Sequence, residues 1–87
     1  MKRYYLLPKN IEGRGYSFAK AKAVLHKAGA TRFGTMRAFA AGKHFPWVVT
    51  FTLPAKLANP LSVSILEQQL YYELGTKVAI NSVSYEV

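Results

Sequence analysis

Apolar and polar positions form six patterned stretches along the chain. Lys2 to Leu7 (KRYYLL) is a short aromatic and apolar run stopped by Pro8, which predicts a strand. Lys9 to Tyr16 (KNIEGRGY) is Gly-rich and predicts a loop. The period then changes. Phe18, Ala21, Val24, Leu25 and Ala28 fall within one arc of a helix, with Lys20, Lys22, His26 and Lys27 on the other side; Ser17 is a suitable N-cap and Gly29 a left-handed stop. Thr31 to Phe39 (TRFGTMRAF) alternates as a strand, Ala40 to His44 (AAGKH) reads as a turn, and Trp47 to Leu53 (WVVTFTL) is a strand bounded by Pro46 and Pro54. Asn59 and Pro60 suit the start of a second helix, Leu61 to Leu74, that Gly75 ends, and Lys77 to Val87 (KVAINSVSYEV) predicts a final strand.

The order β-α-β-β-α-β has a second support in a repeat. At an offset of 46 residues, Leu7-Pro8 recurs as Leu53-Pro54 and Gly29 as Gly75, so each half reads strand, Leu-Pro stop, helix, Gly stop, strand. Two such halves with right-handed crossovers predict an α+β, ferredoxin-like sandwich: a four-stranded antiparallel sheet with both helices on one face and the other face open. Alternation in the third strand sends Trp47, Val49, Phe51 and Leu53 inward and leaves Val48, Thr50 and Thr52 outside. The length fits one domain over residues 1–87.

Charge changes the picture more than composition does. Residues 1–43 carry ten of the twelve basic side chains against Glu12 alone, a net +9; residues 44–87 set Lys56 and Lys77 against Glu67, Glu73 and Glu86, a net −1. Such a one-sided excess attracts polyanions, so a nucleic acid or an acidic protein surface is the expected partner, with solubility as the plain alternative. The candidate phosphate contacts are Lys2, Arg3, Lys9, Arg14, Lys20, Lys22, Lys27, Arg32, Arg37 and Lys43. Aromatics lie among these cations, in Tyr4 and Tyr5 of the first strand and Phe33 and Phe39 of the second, and Tyr5 or Tyr4 is the better candidate for stacking on a base. Gly13-Arg14-Gly15, just before the Ser17 cap, reads either as an anion site at a helix start or as a simple turn.

Catalytic equipment is sparse. With no Cys, no Asp and four dispersed Glu, neither a thiolate metal site nor a paired-carboxylate site is supplied, and no metal or cofactor is expected. The absence of Cys, of a signal-like N-terminal apolar run and of a long apolar stretch makes a cytoplasmic, non-membrane setting the expectation. His26 reads as a surface residue. His44, flanked by Lys43, is the one weak catalytic candidate, since a His beside cations can assist RNA cleavage by the ribose 2′-hydroxyl without a metal.

That His sits in a wider pattern. A helix ending Leu-x-x-Ala-Gly (Leu25 to Gly29), a hairpin holding His44, then Leu53-Pro54 and a second helix ending Leu74-Gly75 resembles, over residues 25–75, the HicA-type mRNA-cleaving toxins. The resemblance implies an RNA-cleaving toxin that uses His44. The chain departs from that family's pattern in having Lys43 where a Gly-Ser pair precedes the His, and in its extra first and last strands.

The second helix has Val63, Leu66, Leu70 and Leu74 as its inward stripe, yet Leu61, Ile65 and Tyr72 make a further apolar line, a candidate face for a homodimer or a partner protein. Three functions stay open: a non-enzymatic nucleic-acid-binding accessory protein, a small inhibitor or adaptor of the kind mobile elements encode that docks an acidic groove, and the HicA-like ribonuclease.

Overall fold

The structure, a computed structural model, describes residues 2–9, 15–40 and 42–83. Its elements are β1 (Arg3–Pro8), α1 (Phe18–Ala28), β2 (Thr31–Ala40), β3 (Lys43–Thr52), α2 (Pro60–Leu74) and β4 (Val78–Ser82), with a turn of 3-10 helix at Ala55–Leu57 before α2. The fold is α+β. Its sheet order is β2-β3-β1-β4 and each neighbouring pair is antiparallel. It follows that β1 and β2, joined by α1, run parallel with β3 between them, while β3 and β4, joined by α2, run parallel with β1 between them.

Both helices begin and end for local reasons. Ser17 Oγ accepts from Lys20 N at 3.3 Å, and Gly29 (φ 113°) ends α1 with its N–H on His26 O while Ala30 N reaches Leu25 O at 2.9 Å. Asn59 Oδ1 accepts from Ser62 N at 2.9 Å, Pro60 fills the first turn where no N–H is needed, and Gly75 (φ 70°) ends α2 on Tyr71 O. The two glycines related by the 46-residue offset thus make the same left-handed stop.

Ala21 and Leu25 of α1 and Leu66 and Leu70 of α2 pack on one face of the sheet against Tyr4, Leu6, Val49, Phe51, Leu53, Val78 and Ile80. That is the main core, and it holds Val63 and Leu74 at its margin as the helical period requires. The opposite face has no helix among the described residues, but its centre is not open. Leu7, Ala38 and Val48 are buried there under Tyr5, Met36 and Phe45. Thr50 and Thr52, expected outside, are on that face yet buried, because the Arg3 side chain lies across them and donates to Thr50 Oγ1 (2.7 Å), Thr52 Oγ1 (3.2 Å) and the Arg32 carbonyl. Gly34 leaves room for it, since a Cβ there would meet Thr50 Oγ1 at 3.0 Å and Arg3 at 3.6 Å.

Three expectations are corrected. β2 runs to Ala40, and β3 begins at Lys43 and runs through Pro46; the register with β2 shifts between Met36 and Ala38, and an irregularity of that kind tolerates a proline. His44 is therefore a strand residue opposite Phe39 and not part of a turn. Trp47 is not in the core: it is 59% exposed. It lies where the register shifts: Phe45 and Val48, three residues apart, share the face without helices, so strict alternation is broken at Pro46 and Trp47. Ten strand residues extend roughly 33 Å whereas the eleven of α1 rise about 16 Å, so the outer part of the hairpin overruns the helix.

Candidate functional site

The overrun makes an arm. Pairing of β1 with β3 ends at Leu6 and Val49, and residues 43–48 of β3 pair with β2 alone. Tyr16 marks the point of departure: its hydroxyl donates to Leu6 O at 2.5 Å and accepts from Val49 N at 3.0 Å, bridging two backbone groups where the strands part. Burial drives the Tyr16 hydroxyl up to about 12, offset in part by the Val49 N–H, so the hydroxyl keeps its proton and stays a donor.

On the arm, Ala38, Phe45 and Val48 turn to the face without helices. Alternation puts Arg37, Phe39 and His44 on the other face, Trp47 lies at the register shift, and all four are exposed, Phe39 by 71%. The flank of α1 lies beside the same strand: the His26 and Phe33 rings are 6.4 Å apart, and Lys22 is one turn before His26. Because α1 runs opposite to β2, its start, with Ala19 and Lys22, points towards the arm. Lys22 and Arg37 thus share a surface with Phe39, Trp47 stands exposed on the same arm, and Lys43, two residues before Phe45, lies at the arm's tip on the other face. Lys20 and Lys27 extend that surface along the outer side of α1, and Arg32 stands exposed at the start of β2. Arg32 holds φ 54°, uncommon for a side chain this long, where the register of β2 against β3 shifts. None of these six cations forms an ion pair with another described residue.

The other candidates lie elsewhere. Arg3 is half-buried on the face without helices, its donors given to Thr50, Thr52 and Arg32. Lys2 sits at the opposite end of the sheet from the arm, beside Asn59, Pro60 and Asn81. Lys9, whose N–H bonds to Lys77 O at 2.9 Å, lines a shallow groove with Glu67, Tyr71 and Lys77 on the α2 side. Arg14 and Gly13, and with them the proposed anion loop, are outside the described residues. Tyr4 is buried and stacked on Phe51, so it is unavailable to a base; Tyr5 is half-buried among Leu7, Ala38 and Val48. Trp47 is the residue that sequence reasoning missed. The signal was Pro46 just before it, which interrupts the regular pairing that alternation assumes.

Leu61, Ile65 and Tyr72 stand exposed on the outer side of α2. Among the described residues no three His, Cys, Asp or Glu side chains gather as a metal site, and no described helix is long and apolar enough to cross a membrane. The chain matches no protein-family model, no curated protein and no solved structure.

Proposed function

We propose that this protein binds single-stranded nucleic acid without reacting on it, gripping phosphates with the cations of α1, β2 and the hairpin arm and stacking bases on Phe39 and Trp47. The observation that carries this reading is the pair of large aromatic side chains left bare on an arm that also bears Arg37 and Lys43, with Lys22 facing it. A hydrophobic ring in that setting gains from a base plane of either kind, and flanking cations neutralise the backbone that brings it. The interleaved strand order, with each helix joining strands that flank one from the other half, supports a ferredoxin-like sandwich as the frame. In that frame the site is the helix-side surface of one sheet edge and its overhang, rather than the broad sheet face that Tyr5 occupies.

Trp47 is the chain's sole tryptophan, which gives a direct assay. Titration with an unstructured oligonucleotide at low ionic strength is expected to quench its fluorescence, and salt to reverse the quenching with a log–log slope of about −4 if six phosphates are neutralised. Phe39→Ala and Trp47→Ala, the latter followed by anisotropy of a labelled strand, should each weaken binding by about tenfold or more. Undetectable binding at low salt ends the proposal. So does binding that ignores both aromatic substitutions, which would leave the cations to an acidic protein groove. A nuclease would make His44 indispensable to cleavage; as a binding surface the arm should lose no more than about threefold in affinity on His44→Ala.

A further inference from the structure

We infer that the outer face of α2 is the contact of a two-fold dimer of this chain. Leu61, Ile65 and Tyr72 follow one line down the helix and are 72%, 52% and 90% exposed, with Tyr71 half exposed beside them. Between them lie Ser64 and Gln68, and α2 contains no Lys or Arg although the chain has twelve. The helix is apolar on both sides, and one side is spent on Leu66 and Leu70 in the core. Together the four exposed side chains present on the order of 500 Å², as large as the biggest patch on an ordinary monomer; doubled across a two-fold axis, this reaches the roughly 1,000 Å² that a specific contact needs.

A second copy is the occupant because of the charge. Each chain carries +8, so most ways of bringing two together set cations against cations; α2 itself holds none, and the lysines at its flanks, Lys9 and Lys77 on one side and Lys27 on the other, share their grooves with Glu67 and Glu73. An antiparallel pairing centred between Ile65 and Gln68 sets Leu61 of one chain on Tyr72 of the other, twice, as a self-complementary patch requires. It opposes the two helix dipoles. It also brings the α2 start, with Lys2 beside Asn59 and Pro60 and Lys56 joined to Asn59 through its carbonyl, over the end that carries Glu73. α2 packs beside β4, across the sheet from β2, so the dimer leaves both arms free and presents two basic surfaces on one particle.

The experiment is sedimentation of polyanion-free protein at about 100 micromolar and about 0.3 M salt, where the copies' repulsion is screened. The wild-type chain is expected to be dimeric, and Ile65→Asp combined with Tyr72→Asp monomeric with an unchanged far-ultraviolet spectrum. The chain has no cysteine, so single thiols report geometry: Gln68→Cys should be joined to its copy by a short bis-maleimide, while Thr35→Cys, on β2, should not. A monomeric wild type, a dimer that survives the double substitution, or cross-linking at Thr35→Cys in place of Gln68→Cys each overturns the inference. No oligonucleotide is present, so the result is independent of the arm's role.

Discussion

α1 buries Ala21 and Leu25 against the sheet and α2 buries Leu66 and Leu70, each helix opening on a side-chain cap and closing on a left-handed glycine. Outward they have nothing in common. α1 shows solvent Lys20, Lys27 and His26; α2 shows Leu61, Ile65, Tyr71 and Tyr72 and no cation. Two halves of similar plan thus meet the same demand from the core and are released from it on the outside, where the side chains answer to whatever lies beyond the chain. Because folding constrains the inner faces alike, the outer faces carry the functional difference, and they point to an anion on one side and an apolar surface on the other.

If the inner faces are equivalent, they should fail alike. Leu25→Ala and Leu70→Ala each remove a fully buried side chain, and each is expected to cost about 2 to 5 kcal/mol in urea unfolding, a large part of what so small a domain possesses. A gap of several kcal/mol between them would show that one helix is an accessory to a core built on the other.

The outer faces should fail separately. Lys22→Glu with Lys27→Glu leaves α1 folded, each exposed or half-exposed change being within about 0.5 kcal/mol, but should lower affinity for a single strand on the order of a hundredfold at low salt. Gln68→Glu with Gln69→Glu adds the same sign of charge to α2 and should leave that affinity within about threefold. Equal losses from the two pairs would mean that only the total charge matters, and the distinction between the helices would lose its functional meaning.

Much of this contrast was legible in the pattern of residues. The helix caps, the inward stripes Ala21-Leu25 and Leu66-Leu70, the exposed line Leu61-Ile65-Tyr72 and the uneven charge are all local properties, set by side chains a turn or two apart. What was not legible depends on elements meeting. Trp47 has in sequence the alternation of a core residue, and the register shift of β3 against β2 takes it out of that alternation and leaves it bare. Pro46 looks like a boundary until β2 supplies an irregular partner for it. Arg3 looks like a free phosphate ligand until the register places Thr50 and Thr52 of β3 beneath its guanidinium.

Tyr16 joins the two regions, since its hydroxyl holds the loop before α1 to both β1 and β3 at the root of the arm. Tyr16→Phe leaves Leu6 O and Val49 N without that bridge and is expected to cost about 1 to 3 kcal/mol. The pH dependence has a definite sign. The folded chain keeps the proton with an affinity raised to about 12, above the ordinary 10.0, so the contribution is complete below the unfolded value and is lost as the pH rises from there through about 12. Denaturation midpoints between pH 9 and 11.5 (about one Tyr titration range) should therefore fall more steeply in the wild type than in Tyr16→Phe; parallel curves would mean that the hydroxyl is not shielded at the arm's root.

The smallest effect separates the helix starts. Ser17 satisfies one N–H, at 3.3 Å, whereas Asn59 accepts from Ser62 N at 2.9 Å and also donates to Lys56 O at 3.0 Å, tying the 3-10 turn to α2. Alanine at either cap costs about 1 kcal/mol, and Asn59→Ala should be the more harmful because two bonds go with it. Neither helix has an acidic residue in its first turn, but that of α1 also holds Lys20, so the positive end of its dipole is the less relieved. An anion at that end would relieve it. Ser17→Ala should therefore be more harmful in dilute buffer than in saturating oligonucleotide, if the strand passes near the start of α1 on its way to the arm. Thermal shifts measured with and without the strand give that difference, and an identical loss in both conditions would route the strand along the arm alone.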